Sequence, residues 1–133
     1  MKKYLLIVAV LLLGFTLPRG VTAQSTLTFQ LNLFEEIGSG EFDPSTDTAL
    51  LYGNRSPLSL ESGVTMTEGS MVDSIYTATV QFSESLVGQD LTFKFGIVTP
   101  DSSVKEDLER PRKTTLSKGE RELNEAYFNI PPW

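Results

Sequence analysis

The sequence predicts an all-β protein that folds as an antiparallel β-sandwich. Five short segments carry apolar residues on alternate positions or as a short buried run, and turn-forming residues separate these segments. No window of ten or more residues after position 23 has apolar residues spaced by three and four, as an amphipathic helix requires. The chain has 133 residues, which is enough for one domain, so we expect all the strands to share one core.

Residues 1–23 have the pattern of a secretory signal peptide. Lys2 and Lys3 give the positive start, an apolar stretch runs from Tyr4 to Leu17, and Ala23 completes a small-residue cleavage site. The apolar stretch is shorter than the roughly 20 residues that span a bilayer. We therefore expect cleavage after Ala23, a periplasmic or secreted location, and a folded domain of residues 24–133 without a membrane anchor.

The three clearest strands alternate apolar and polar residues over eight positions. They are Thr26 to Leu33, Ile75 to Phe82 and Leu91 to Val98, and each should bury one face. Gly88 lies between the last two of these strands and can adopt a positive φ at no steric cost. We expect these two strands to form a hairpin.

The remaining elements are shorter. Ala49 to Tyr52 is typical of a short buried strand, and Ala126 to Ile130 is the last predicted strand, because two prolines follow it and cannot donate to a ladder. The segment from Ser102 to Glu125 is charged and has no regular pattern. We interpret it as a solvated loop region that includes a short edge strand near Val104 to Leu108.

Composition excludes several classes of function. The chain has neither cysteine nor histidine, so it cannot hold a Ser-His-Asp triad, a Cys-His nucleophile or a zinc site made of thiolates or imidazoles. The signal peptide contains three of the 11 basic residues and none of the 17 acidic ones, so residues 24–133 carry a net charge of −9. Nucleic acid and anionic membrane surfaces are therefore unsuitable partners, because both require a basic face.

Seven short motifs in a fixed order resemble those of the starch-binding and glycogen-binding carbohydrate modules. They are Phe42-Asp43-Pro44, Leu50-Leu51-Tyr52-Gly53, Met66-Thr67, Asp73 to Val80, Leu91 to Phe95, Glu106-Asp107 with Arg110, and Tyr127-Phe128-Asn129. The resemblance extends over nearly all of residues 24–133. It implies an immunoglobulin-like antiparallel β-sandwich that binds polysaccharide, of the α-glucan class, and has no catalytic activity.

The resemblance also implies which residues would contact sugar. Leu58 and Lys105 occupy the positions where the family usually carries tryptophans, and Lys94, Glu106 and Arg110 match polar residues of the family's site. A pyranose ring binds by placing its C–H face on an aromatic ring. Loss of both tryptophans therefore predicts weak or altered α-glucan binding. The candidate carbohydrate-binding residues are Leu58, Lys94, Lys105, Glu106, Arg110 and Trp133.

Three of these residues also have a purely structural interpretation. Lys94 would be the outward position on a strand whose Phe93 and Phe95 point into the core, and that register requires both phenylalanines to be buried and Lys94 to be exposed. Glu106 and Arg110 would be a surface ion pair of little energetic value.

Trp133 follows two prolines at the end of the chain and allows two interpretations. It would either replace a lost stacking platform or fold back as a plug on the sandwich. If sugar binding has been lost altogether, the sandwich would be a protein-interaction or structural module. A sheet edge or the acidic loop after Ser102 would then contact a protein partner.

Catalysis and metal binding have weaker support in the sequence. The paired acids Glu35-Glu36 and Glu106-Asp107 are the candidates for glycoside hydrolysis, but neighbouring acids on a strand point to opposite faces. We therefore expect no enzymatic activity and no cofactor. Asp43 and Asp47 could supply oxygen ligands to calcium, but the sequence has no calcium-loop motif, so we predict no metal site and leave calcium binding open.

Overall fold

The fold is described from a computed structural model, which defines residues 24–69 and 73–133. The predicted signal peptide and its cleavage site lie outside the described residues. No helix within the described ranges has the length and apolar character needed to cross a membrane.

The described residues form nine strands, one short helix and one 3-10 turn. In chain order the elements are β1 (Ser25–Asn32), α1 (Phe34–Ser39), β2 (Thr48–Gly53), β3 (Val64–Glu68), β4 (Ile75–Phe82), the 3-10 turn (Glu84–Leu86), β5 (Asp90–Val98), β6 (Ser103–Lys105), β7 (Arg112–Thr115), β8 (Gly119–Glu122) and β9 (Ala126–Tyr127).

The strands form two stacked sheets that share β3, which confirms the predicted all-β sandwich. One sheet contains β2, β5, β6 and β7, and the other contains β1, β4, β8 and β9. Residues 64–66 of β3 pair with β2 and residues 67–68 pair with β4. The pairing is mixed, because β8 and β9 lie parallel to β1, whereas the other described pairs are antiparallel.

The core lies between the alternating faces of β1 and β5. Leu27, Phe29, Leu31 and Leu33 are fully buried, as their spacing predicts. Each such side chain stabilises the fold by roughly 1.5–3 kcal/mol relative to an exposed one. The ring of Phe29 meets that of Phe93 across the two sheets, edge to face, with 5.1 Å between ring centroids.

The register of β5 agrees with the sequence. Phe93 and Phe95 are buried together and their rings are in edge contact, 5.9 Å between centroids. Lys94 lies between them on the opposite face and is half-buried rather than fully exposed.

The predicted hairpin between β4 and β5 is wrong. β4 pairs with β1 and β3, whereas β5 pairs with β2, β6 and β7, so the chain crosses from one sheet to the other between them. The crossing contains the 3-10 turn, and Gly88 has the positive φ, 93°, that the sequence predicts. Alternation identified the buried face of each strand but contains no information about which strand is its neighbour.

The predicted loop after Ser102 contains more strand than the sequence suggests. It holds β6, β7 and β8 rather than one edge strand near Val104 to Leu108. β8 has no buried residue and β7 buries a charged one, Arg112, so neither shows apolar alternation. The last strand, β9, ends at Tyr127 rather than Ile130, because a turn joins Tyr127 O to Ile130 N at 3.1 Å.

Candidate functional site

The outer face of the sheet that contains β2 and β5 brings most of the predicted site residues together. Lys94 on β5 is the cross-strand partner of Tyr52 on β2, and both lie on the face that points away from the core. The Tyr52 ring lies against Gly63 and Gly96, where a Cβ atom would come within 3.0 Å and 2.7 Å of the ring. These glycines let the ring lie flat on the sheet.

Lys105 covers the Tyr52 ring. Its Nζ lies 4.5 Å from the ring centroid, a cation–π geometry, and donates a hydrogen bond to the carbonyl oxygen of Leu60 at 2.9 Å. Tyr52 is consequently buried although it is on an outer face. Lys105 therefore covers an aromatic ring on this face instead of leaving the ring open to a ligand.

Two adjoining depressions, of about 310 Å³ and 420 Å³, continue along this face. Thr92, Arg110 and Pro111 line both of them, so they form one surface, which we call the outer groove. Its other lining residues are Leu60, Lys94, Glu106, Leu108, Glu109, Arg112, Lys113, Pro132 and Trp133.

Trp133 lies in the outer groove and does not enter the core. Its side chain is 48% exposed, and the guanidinium carbon of Arg110 lies 4.4 Å from the ring centroid. The arginine stacks on the indole and restrains it, an arrangement worth about 0.5–1 kcal/mol at an exposed site. The structure thus places an accessible aromatic ring beside the cation of Arg110.

Glu106 borders the outer groove, but its side chain is directed into the protein, where it has a structural role. Its side chain is 1% exposed, and its carboxylate forms an ion pair with Arg112, with 2.6 Å between Oε2 and Nη2. It also accepts hydrogen bonds from Arg112 Nε and from the backbone N–H groups of Phe95 and Asn129, at 3.0, 2.9 and 2.9 Å. The expected surface ion pair with Arg110 is therefore wrong, because Arg112 is the partner and the pair is buried.

A gap between β6 and β7 explains why Glu106 is buried. β6 pairs with β5 at residues 96–98 and β7 pairs with it at residues 90–93. Between the two strands, the Phe95 N–H would lack an acceptor, and the Glu106 carboxylate supplies one. Sequence reasoning missed Arg112, since a charged residue on a short strand gives no signal of burial.

Leu58 does not take part in the outer groove. It is 5% exposed and packs into the core beside Gly53, so it cannot present a face to a ligand. Leu60, two residues later, is half-exposed and lines the groove instead. Thr92 was also missed, although it shares the face of Lys94 because it lies two positions earlier on the strand.

The charge of the outer groove is more basic than that of the whole chain. Lys94, Arg110 and Lys113 line it, opposed by the carboxylate of Glu109. Lys113 Nζ lies 3.9 Å from a carboxylate oxygen of Asp90, in an exposed pair that contributes little. These donors can form hydrogen bonds with neutral hydroxyl groups.

The side chains with shifted pKa values lie elsewhere. Burial raises the pKa of Tyr76, helped by the negative charge of Glu68, and burial also raises the pKa of Glu36 on α1. Hydrogen bonds from Ser45 lower the pKa of Asp43. Among the described residues, no group of three acidic side chains is arranged to hold a metal ion.

Comparison with known proteins supports the fold of this chain but does not assign the chain to a family. No protein-family model and no curated protein matches the sequence. The chain is similar in structure to a family 15 glucoamylase from Hypocrea jecorina, with a TM-score of 0.60 and 15% identity over 86% of this chain and 18% of that one. It is equally similar to a Hormoconis resinae glucoamylase, with a TM-score of 0.60 and 13% identity over 87% and 19% of the two chains.

A γ-CGTase from an alkalophilic Bacillus clarkii is a third structural neighbour, with a TM-score of 0.60 and 15% identity over 80% of this chain and 15% of that one. The chain thus spans less than a fifth of the length of each of these proteins. At this level of identity the similarity concerns the fold of that portion.

Proposed function

We propose that this domain is an exported, non-catalytic module that binds a polysaccharide, of the α-glucan class, in the outer groove. The observation that carries the proposal is the half-exposed Trp133 ring, which lies in the groove with the cations of Lys94, Arg110 and Lys113 nearby. Its structural neighbours are two glucoamylases and a CGTase, and both these neighbours and the motif resemblance support carbohydrate as the ligand class.

The chemistry of the groove suits a neutral sugar chain. An indole face excludes water from the C–H face of a pyranose, and lysine and arginine donate hydrogen bonds to its hydroxyls. The depressions are shallow and open at the surface, which suits a long chain lying across the domain better than a small molecule enclosed in it. Lys105 covers the Tyr52 ring, so Trp133 is the accessible aromatic ring of the outer groove, and stacking on a single ring favours weak binding.

The positions of the acidic residues support binding without hydrolysis. Glu106 is held in a buried ion pair and its neighbour Asp107 is exposed, so the two carboxylates do not face each other across a cleft. Glu35 and Glu36 lie on α1 and line none of the depressions of the outer groove. Glycoside hydrolysis requires two carboxyl groups on either side of one bond.

We expect Trp133→Ala to weaken polysaccharide binding about tenfold, because the stacking ring and its buried apolar area are both lost. The measurement is affinity electrophoresis in native gels containing amylose or glycogen, with the dissociation constant taken from retardation against polysaccharide concentration. The wild-type protein should be retarded relative to a gel without polysaccharide.

Phe34→Ala is the matched control for this measurement. Phe34 is also a large exposed aromatic residue, 69% exposed, but it lies on α1 and lines none of the depressions described above. The control should be retarded as strongly as the wild-type protein. Equal retardation of the Trp133 variant would remove the tryptophan from the site, and unchanged mobility of the wild type in every polysaccharide would contradict the proposal.

A protein-interaction role is the second candidate, and the exposed edge strand β6 favours it. All three of its residues are exposed, including Val104, and its described pairing is with β5 alone. A partner strand could add to this edge through backbone hydrogen bonds. Failure to bind any polysaccharide, together with a partner whose binding is lost in Val104→Pro, would favour this role.

A further inference from the structure

The outer groove and the domain as a whole have opposite charge. Four basic and two acidic residues line the groove, which gives its lining a net charge of +2, whereas residues 24–133 together carry −9. Glu106 and Arg112 neutralise each other in the buried ion pair. The positive charge that a ligand can meet therefore comes from Lys94, Arg110 and Lys113, which we call the cationic cluster.

The sheet arranges the cationic cluster around Thr92. Thr92 on β5 is the cross-strand partner of Lys113 on β7, and Lys94 lies two positions further along β5 on the same face. Lys94 and Lys113 are thus diagonal neighbours, about 7–8 Å apart. Arg110 shares the surface with them, because it lines both depressions together with Thr92. Flexible side chains at this spacing can reach one ligand group together.

Few carboxylates compete for these cations. Neither Lys94 nor Arg110 forms an ion pair with any of the described residues. Glu109 lines the groove, and Asp90, which lies outside the lining, is 3.9 Å from Lys113 Nζ. That pair is exposed, so it is weak and easily exchanged for a ligand. The cationic cluster therefore retains positive charge that an anionic group on a ligand can neutralise.

We propose that the outer groove selects an α-glucan that carries phosphate monoesters, with one phosphate held by the cationic cluster and a neighbouring sugar ring stacked on Trp133. This selectivity rests on the proposed function, since it concerns the same groove. A phosphate monoester has a charge of about −1.5 to −2 at neutral pH and three acceptor oxygens, which suits three cations around one point. An unmodified glucan offers hydroxyl groups alone and leaves the charge of the groove unused.

The test compares maltohexaose with maltohexaose that carries one phosphate monoester. Trp133 is the single tryptophan of the chain and lies in the groove, so its fluorescence reports binding. We expect the phosphorylated form to bind about fivefold more tightly. Salt should remove most of this advantage as NaCl rises from about 0.02 to 0.5 M. Inorganic phosphate alone should bind at least about tenfold more weakly than the phosphorylated form, because it has no sugar ring to stack on Trp133.

The outcomes separate this selectivity from the proposed function. Equal affinity for the two saccharides at low salt would overturn the phosphate preference and leave the proposed function in place. Inorganic phosphate that binds as tightly as phosphorylated maltohexaose would also overturn the preference, since the groove would then recognise the ion and not the glucan. Absence of binding by both saccharides would contradict the preference and the proposed function together.

Variants that remove one charge test the role of the cationic cluster. Lys94→Gln and, independently, Lys113→Gln should lower the ratio of the two affinities from about five to about two, because glutamine keeps hydrogen-bond donors and loses the charge. Lys118→Gln is the matched control, since Lys118 is exposed between β7 and β8 and lines neither depression of the groove. The control should keep the wild-type ratio. Cluster variants that are folded by circular dichroism and keep the wild-type ratio would refute the assignment.

Discussion

Glu106→Ala is expected to lower the free energy of unfolding by about 3–5 kcal/mol, because it leaves the buried charge of Arg112 without its partner. The same carboxylate accepts the backbone N–H groups of Phe95 and Asn129, so two further donors lose their acceptor. The measurement is urea denaturation followed by tryptophan fluorescence and circular dichroism, at neutral pH.

Asp107→Ala is the control for Glu106→Ala. Asp107 is the next residue, is exposed, and contributes its backbone N–H, which alanine retains, to a hydrogen bond with Asn129. Its replacement should change stability by less than about 0.5 kcal/mol. The double variant Glu106→Leu with Arg112→Met should be more stable than Glu106→Ala, since no charge remains buried. A single variant as stable as the control would mean that the ion pair is not buried in solution.

Phe42→Ala is expected to destabilise the protein by about 3–5 kcal/mol, the usual cost of removing a fully buried phenylalanine. Phe42 lies in the loop between α1 and β2, and its ring meets that of Tyr76 edge to face, with 5.3 Å between centroids. The loop is fixed there, because Phe42 N also donates to the carbonyl oxygen of Glu36 at 3.0 Å. Urea denaturation again gives the free energy of unfolding.

Phe34→Ala makes the same chemical change at an exposed position eight residues earlier. It should alter stability by less than about 0.5 kcal/mol, because little apolar area is lost. Similar stabilities for the two variants would show that Phe42 is not part of the core.

Much of the fold could be predicted from apolar alternation. The pattern in β1, β4 and β5 reflects burial of one face, so it identified those strands and placed Phe93 and Phe95 inside. The partner of each strand depends on contacts distant in sequence, and for that reason the predicted β4–β5 hairpin was wrong. β7 and β8 are fixed by backbone pairing to β5 and β1 and have almost no apolar residues to reveal them.

The candidate site was partly predictable. Lys94, Lys105, Arg110 and Trp133 lie on or beside the outer groove, and the resemblance pointed to the first three. Leu58 was placed on the surface by position in a motif, but an aliphatic side chain at that position packs into the core. Glu106 was also misassigned, because it was placed on the surface and is in fact buried. A carboxylate is buried only where partners such as Arg112 are available. Those partners come from other segments of the chain, so the sequence around Glu106 does not reveal them.

Because β3 is shared by both sheets, the two edges of the sandwich differ in how they hold the sheets together. Separating the two sheets at the β3 edge would break the main-chain pairing of β3, since its residues 64–66 pair with one sheet and its residues 67–68 with the other. On the far side, Arg112 ties β7 to the carbonyl oxygens of Tyr127 and Ile130 through its side chain. The two edges of the sandwich are therefore held in different ways, one by the main-chain pairing of a shared strand and the other by hydrogen bonds from a buried side chain.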